Sequence, residues 1–194
     1  MSRRTGGVRG RALLAALLLA AGLGIAGEAV LVPAKAVLAQ WLLERAFAAS
    51  LAAGRPVRPW PSADTEPVAR LTFAGRSVVA LRGASGQALA FGPGHLAGTP
   101  EAGEAGTAVY AAHRDTHFAG LGALRPGDPV AVTRRDGRTV AFRVTGRRVA
   151  RFDASGLDPR APGRHLALAT CWPLDGPARG PLRLIVEAEA VDGP

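Results

Sequence analysis

Of the chain's 194 residues, one is a cysteine, Cys171, one is a lysine, Lys35, and only ten are Phe, Trp or Tyr. A lone cysteine excludes an internal disulfide framework. Few aromatics, and arginines dispersed along the chain, remove the usual footprint of a nucleic-acid surface, so no nucleic-acid partner is expected. The formal charge of +9 reads as a bias toward Arg, Ala, Gly and Pro; attachment to anionic lipid or polymer by charge alone is the rival reading. No internal repeat is present. His113 and His117 come closest to metal-ligand spacing, but no carboxylate or cysteine motif accompanies them, so neither a metal nor another cofactor is expected.

What is there begins with a basic arm. Residues 1–11 carry Arg3, Arg4, Arg9 and Arg11 and no acid, and Ala12 to Val32 is apolar except for Glu28. About 20 helical residues cross a bilayer core, and positive charge ahead of the run predicts a cytoplasmic N-terminus. A cleaved signal peptide with a site at Ala34-Lys35-Ala36 is the alternative. Either way the rest of the chain crosses the membrane, and an unpaired thiol in an oxidising compartment calls for an explanation such as reactivity. Residues 35–53 lack Gly and Pro and place Val37, Leu38, Trp41, Leu42 and Arg45 at helical spacing, an apolar face for the domain or the membrane surface. Gly54 ends this helix, and Pro56, Pro59, Pro61 and Pro67 make a stiff connector.

From Val68 the chain turns to short apolar runs punctuated by Gly and Pro. Strands are expected at 68–73, 77–82, 88–91, 107–112, 129–133, 139–149, 166–171 and 182–190, with a hairpin turn at Arg135-Asp136-Gly137. Short helical turns fit 114–124 and 153–158. Many short strands at fairly even spacing predict an all-β barrel or sandwich of about 130 residues.

Leu166-Ala-Leu-Ala-Thr-Cys-Trp-Pro173 ends an apolar strand on Thr170 and Cys171. A lone cysteine is more often a small buried hydrophobe, yet a thiol at a strand exit is well placed to be a nucleophile. His113 also follows an apolar run, Ala108–Ala112, and two such strand ends can converge as thiol and acid–base partner. His95 and His165 read as ordinary loop and turn residues; His117 is harder to set aside. Arg183 opens an otherwise apolar strand, where an arginine is costly without a partner or a task. It could donate to an oxyanion or to substrate carbonyls. Arg179, in the preceding loop, competes for that role and has an easy solvated reading.

Ala167-Leu-Ala-Thr-Cys171 followed by Arg183-Leu-Ile-Val resembles the sortase cysteine signature. Ala111-Ala-His-Arg-Asp-Thr-His-Phe118 is similar to the sortase histidine segment. Pro59-Trp-Pro-Ser-Ala-Asp64 and Leu89-Ala-Phe-Gly-Pro-Gly-His95 resemble the proteobacterial class GN branch. Ala112 and Ala167 stand where the motifs usually have glycine and threonine. The resemblance spans roughly residues 57–190. It implies an eight-stranded β-barrel with short helices behind an N-terminal signal-anchor: 1–11 arm, 12–32 membrane span, 33–56 helix and linker, 57–194 catalytic domain. By position, Cys171 becomes the nucleophile of a transpeptidase cleaving an LPxTG-like sorting signal between Thr and Gly through a thioester. His113 becomes the proton carrier and Arg183 the oxyanion or substrate-positioning cation, with Thr170, Trp172 and Pro173 near the substrate. His117 and Asp115 become secondary positions.

The implied setting is the periplasmic side of the inner membrane, held by one span, with one dedicated protein substrate and an amine acceptor that the chain does not name. An L,D-transpeptidase is the nearest enzymatic rival, but its Ser-x-Gly-Cys-x-Arg neighbourhood is absent. A non-catalytic envelope barrel serving as a binding module is the rival from another class.

Overall fold

The computed structural model describes residues 13–14, 18, 37–176 and 180–191. Two compact units divide between Trp41 and Leu42. The described residues of the first are all helical, and Leu13, Leu14, Leu18, Val37, Leu38 and Trp41 among them are exposed. Most of the expected span 12–32 lies outside the described residues, and no helix among the described residues is long and apolar enough to cross a membrane.

The second unit is a closed barrel of eight strands: β1 (Pro67–Phe73), β2 (Arg76–Arg82), β3 (Gly94–His95), β4 (Gly106–Ala111), β5 (Pro129–Arg134), β6 (Thr139–Arg151), β7 (Arg164–Cys171) and β8 (Leu182–Ala190). Around the barrel the order is β1-β2-β3-β4-β7-β8-β6-β5, closed by antiparallel pairing of β5 with β1. Only β2–β3 and β4–β7 are parallel. Period-two alternation sends Ala69, Leu71 and Phe73 of β1, Tyr110 of β4 and Leu166 and Leu168 of β7 into one interior core. Closure removes the sheet edges that a strand-rich chain would otherwise expose. The expected hairpin joins β5 to β6: Gly137 takes φ 86°, a conformation that suits glycine, and the Asp136 carboxylate accepts from the Arg138 N–H at 3.1 Å.

Two local expectations are corrected. Residues 88–91 are helical and not a strand: they belong to a helix over Gly86–Phe91, capped by Ser85, whose hydroxyl accepts from Ala88 N–H at 3.1 Å. A four-residue apolar run carries too little periodicity to separate the two states, and the serine cap decides it. The barrel's extra strand is instead the two-residue β3. His165, expected in a turn, is the second residue of β7.

The helix over residues 37–53 is α1 and that over Gly86–Phe91 is α2. Leu43 and Phe47, both fully buried, lie one turn apart on α1 and pack with Val79 and Leu81 of β2 and Ala88 of α2. Arg70 of β1 pairs with Glu44 and lies over the Phe47 ring at 4.9 Å. The last turns of α1 are therefore part of the folded unit, which begins at Leu42. Gly54, at φ 62°, stops the helix, and the buried Ser50 hydroxyl, accepting from Val57 N–H at 2.9 Å, turns the chain back toward the barrel. Phe47→Ala is expected to cost about 3 kcal/mol of stability by emptying this site. A lowered urea midpoint at constant slope checks it, and an unmoved midpoint would show that the α1 contact contributes little.

Candidate active site

Three neighbouring strands bring the sequence-predicted residues to one rim of the barrel. On β4 and β7, which run parallel, Ala111 is level with Ala169, and the ladder continues through Ala112 N–H to Ala169 O at 3.2 Å. His113 stands two residues beyond Ala111, and Cys171 two beyond Ala169. On the other flank of β7, antiparallel β8 places Arg183 opposite Cys171. Adjacent strands lie about 4.8 Å apart, so the register alone makes near neighbours of residues 58 and 12 positions apart in sequence.

Alternation then chooses the face. Leu166, Leu168 and Thr170 of β7 are buried, with both leucines in the interior core. Ala167, Ala169 and Cys171 take the other side. Val109, Ala167 and Ile185 form a separate apolar cluster there, with Leu96, Leu157 and Ala169 against it. Over this floor opens a cavity of about 330 Å³ that His113, Cys171 and Arg183 all line. Leu89 of α2 and Leu96 contribute to its lining from the β2–β4 side, and Phe152, Ser155 and Leu157 from the β6–β7 connection. Cys171 is half-buried with a free thiol. The cavity is mostly apolar with a few polar groups in its lining, the usual composition of a small-ligand or peptide cleft.

The four histidines separate by position. His113 alone of them lines this cavity. His95 stacks on Tyr110 at 4.9 Å and its Nε2 lies 2.9 Å from Pro100 O; burial holds its pKa below the ordinary value, partly opposed by that carbonyl. His165 sits at the far end of β7 from Cys171, its Nε2 2.8 Å from Pro162 O. His117 is half-buried beyond His113; burial first, and then the His113 imidazole, push its pKa down. Asp115 is exposed.

Arg183 is held at the cavity mouth. Its guanidinium donates to Gly180 O and Leu182 O, each at 2.8 Å, and lies 5.5 Å from the Phe152 ring centre. Phe152 N–H donates to Pro181 O at 2.8 Å, so the loops on either side of this arginine are joined. Arg179 lies outside the described residues.

The remaining positions behave differently from one another. Thr170 is buried, and its hydroxyl donates to Ala112 O at 2.8 Å, tying the strand that carries the thiol to the strand that carries the imidazole. Trp172 lines a second cavity, of about 360 Å³, with Leu174, Arg147, Val149 and Leu184. The Pro173 carbonyl accepts from Arg114. Ala112, where the motif usually has glycine, sends its methyl into the interior core. Arg114 had no assigned task in the sequence reading; a charged residue after a histidine in a loop carries no signal of a partner 59 positions away. Among the described residues, no group of three His, Cys, Asp or Glu side chains is arranged to hold a metal ion.

A thiol, an imidazole and a guanidinium around one apolar cleft are the parts that acyl transfer through a thioester requires. The sortase domain family model matches residues 71–191, more than half of the chain, and the chain belongs to the sortase family. Among solved structures it is similar to sortase A from Corynebacterium diphtheriae, at 25% identity and a TM-score of 0.60, over 69% of this chain and 64% of that one. It is likewise similar to sortase C-1 from Actinomyces oris (29%, TM-score 0.58, over 66% of this chain and 75% of that one). A sortase E variant from Streptomyces avermitilis gives 29% identity and a TM-score of 0.55, over 65% of this chain and 88% of that one. No curated protein sequence matches the chain.

Proposed function

We propose that this sortase is a cysteine transpeptidase acting on an LPxTG-like C-terminal sorting signal, with Cys171, His113 and Arg183 as its catalytic residues. The observation that carries the reading is the register of β4, β7 and β8, which sets these three residues around one cavity. The apolar floor of Val109, Ala111, Ala169 and Ile185 suits the Leu-Pro portion of such a signal, and burying one leucine side chain there contributes about 2 kcal/mol.

Cys171 Sγ attacks the threonine carbonyl carbon. The Thr–Gly C–N bond breaks as His113 gives a proton to the departing glycine amine, leaving a thioester on Cys171. An incoming amine then loses a proton to His113, attacks the thioester carbonyl and releases the Cys171 thiolate, which restores the sulfur and the proton-bearing imidazole that began the cycle. Arg183 turns its guanidinium toward the oxyanion or the substrate backbone. The Trp172 N–H already donates to Leu182 O at 3.0 Å, which leaves the arginine as the candidate donor on this side. The class GN motifs, one inner-membrane span, a periplasmic domain and a single dedicated protein substrate complete the reading.

Peptides of LPxTG type, incubated with the enzyme and an amine, are expected to yield the transpeptidation product and a trapped acyl-enzyme by mass spectrometry. A folded protein that binds these peptides without cleaving them would support the non-catalytic binding module instead. Arg183→Lys is expected to lower kcat about a hundredfold with the fold retained, because lysine lacks the planar fork. Unchanged turnover would place the oxyanion donor elsewhere.

A further inference from the structure

The loop that leaves Cys171 is seated on the segment that carries His113. Ala112 N–H bonds Ala169 O, Ala112 O receives the Thr170 hydroxyl, and Phe118 N–H closes back on His113 O at 3.1 Å. Phe118, fully buried, meets Phe73 edge-on at 5.6 Å inside the barrel. The segment after β4 is thus pinned into the core on both sides of Arg114.

From that base the Arg114 guanidinium reaches across to the chain beyond the nucleophile. Nη1 donates to Pro173 O and Nη2 to Gly176 O. The side chain is 15% exposed, and its carboxylate neighbour Asp115 is 4.0 Å away and largely solvated. The two backbone carbonyls are therefore its closest acceptors. A second point of seating lies in the same segment. At Gly122 an added Cβ would meet Leu174 Cδ1 at 2.2 Å, so the leucine rests directly on the glycine backbone. Residues 172–176 dock on residues 113–124 through one guanidinium fork and one apolar contact.

We infer that Arg114 is a positioning residue: its fork locks the loop after Cys171 to the His113 segment and so holds the thiol and the imidazole in one geometry. Arginine suits this where lysine does not, because two carbonyls three residues apart need two donors in a fixed plane. The consequence for catalysis rests on the proposed acyl-transfer reading; the structural lock does not.

The test uses Arg114→Ala and Arg114→Lys in the full chain, and the lysine variant carries it if the alanine variant does not fold. In Arg114→Ala, amide hydrogen exchange at Trp172, Leu174, Asp175 and Gly176 is expected to speed up about tenfold or more, with barrel amides unchanged. Turnover of the sorting peptide falls about thirtyfold, in kcat with KM nearly constant, as expected for lost orientation of reacting groups. Arg114→Lys recovers only part of both. Wild-type exchange in the loop of either variant overturns the lock. Full turnover in Arg114→Lys overturns the need for a fork, and a loss confined to KM makes Arg114 a substrate contact instead. If the wild-type enzyme cleaves no sorting peptide, the transpeptidase reading fails. The exchange data and the rate of Cys171 alkylation by iodoacetamide in the same variants then still decide the lock.

Discussion

Cys171→Ala is expected to abolish acyl-enzyme formation and to lower peptide cleavage at least about ten-thousandfold, the scale on which loss of a covalent nucleophile is felt in acyl-transfer enzymes. The fold should survive. Cys171 is half-buried at the last position of β7, its neighbour Thr170 keeps the strand tied to Ala112, and alanine removes one atom from a side already open to the cavity. A thermal midpoint close to wild type, together with loss of the mass shift from trapped thioester, is the combined signature. Residual cleavage at wild-type rates would mean that the nucleophile is not this thiol, whatever the likeness of the fold.

His113→Gln is expected to lower turnover about a thousandfold, within the range that a positioned proton carrier supplies. Glutamine keeps a polar side chain of similar size at the end of β4 but cannot carry the proton to the leaving amine. The contrast with His117 sharpens the test. His117 is four residues on, does not line the cavity, and is held below its ordinary pKa by burial and by the His113 imidazole. Its glutamine variant should therefore retain turnover within about fivefold, a barrier change of about 1 kcal/mol. Equal losses in both variants would make the two histidines a functional pair. Loss only in His117→Gln would transfer the proton carrier one turn along the loop. Added imidazole should recover part of the activity of His113→Gln, because the cavity mouth is open and the missing group is small. It should recover none of that of Cys171→Ala.

The site was legible in the sequence because each of its parts ends or opens an apolar run. Ala108–Ala112 leads to His113, Leu166–Thr170 leads to Cys171, and Arg183 starts the run that follows the Gly/Pro-rich loop. Period-two alternation also separates the buried Thr170 from Cys171; Thr170 still contributes to the cavity lining, while its hydroxyl is given to Ala112 O. What failed locally failed for a shared reason. Residues 88–91 are too few to display a period, so the Ser85 cap settled the state. His165 follows Gly163-Arg164, a turn-like neighbourhood, yet pairing with β4 and β8 draws it into β7. The helix over residues 37–53 was legible as a helix, but its face was not: Val37, Leu38 and Trp41, expected on the apolar face, are exposed, and Leu43 and Phe47 are the residues buried.

By itself the sequence determined a strand-rich all-β fold, a single candidate thiol and the family motifs. The first two follow from hydrophobic period, turn residues and the scarcity of cysteine; barrel rather than sandwich came only with the resemblance those motifs carry. The tertiary structure decided which histidine shares a cavity with the thiol and that Arg183 is the β8 residue opposite it in register. It also decided that Arg114 spans from the histidine segment to the Pro173 and Gly176 carbonyls. Those are matters of register between strands and of closing loops tens of residues long. A one-residue slip of β7 against β4 would turn Cys171 into the core while leaving every local pattern intact. The barrel interior prevents that slip: Leu166 and Leu168 fill it, and only the observed register buries them and leaves the thiol outside.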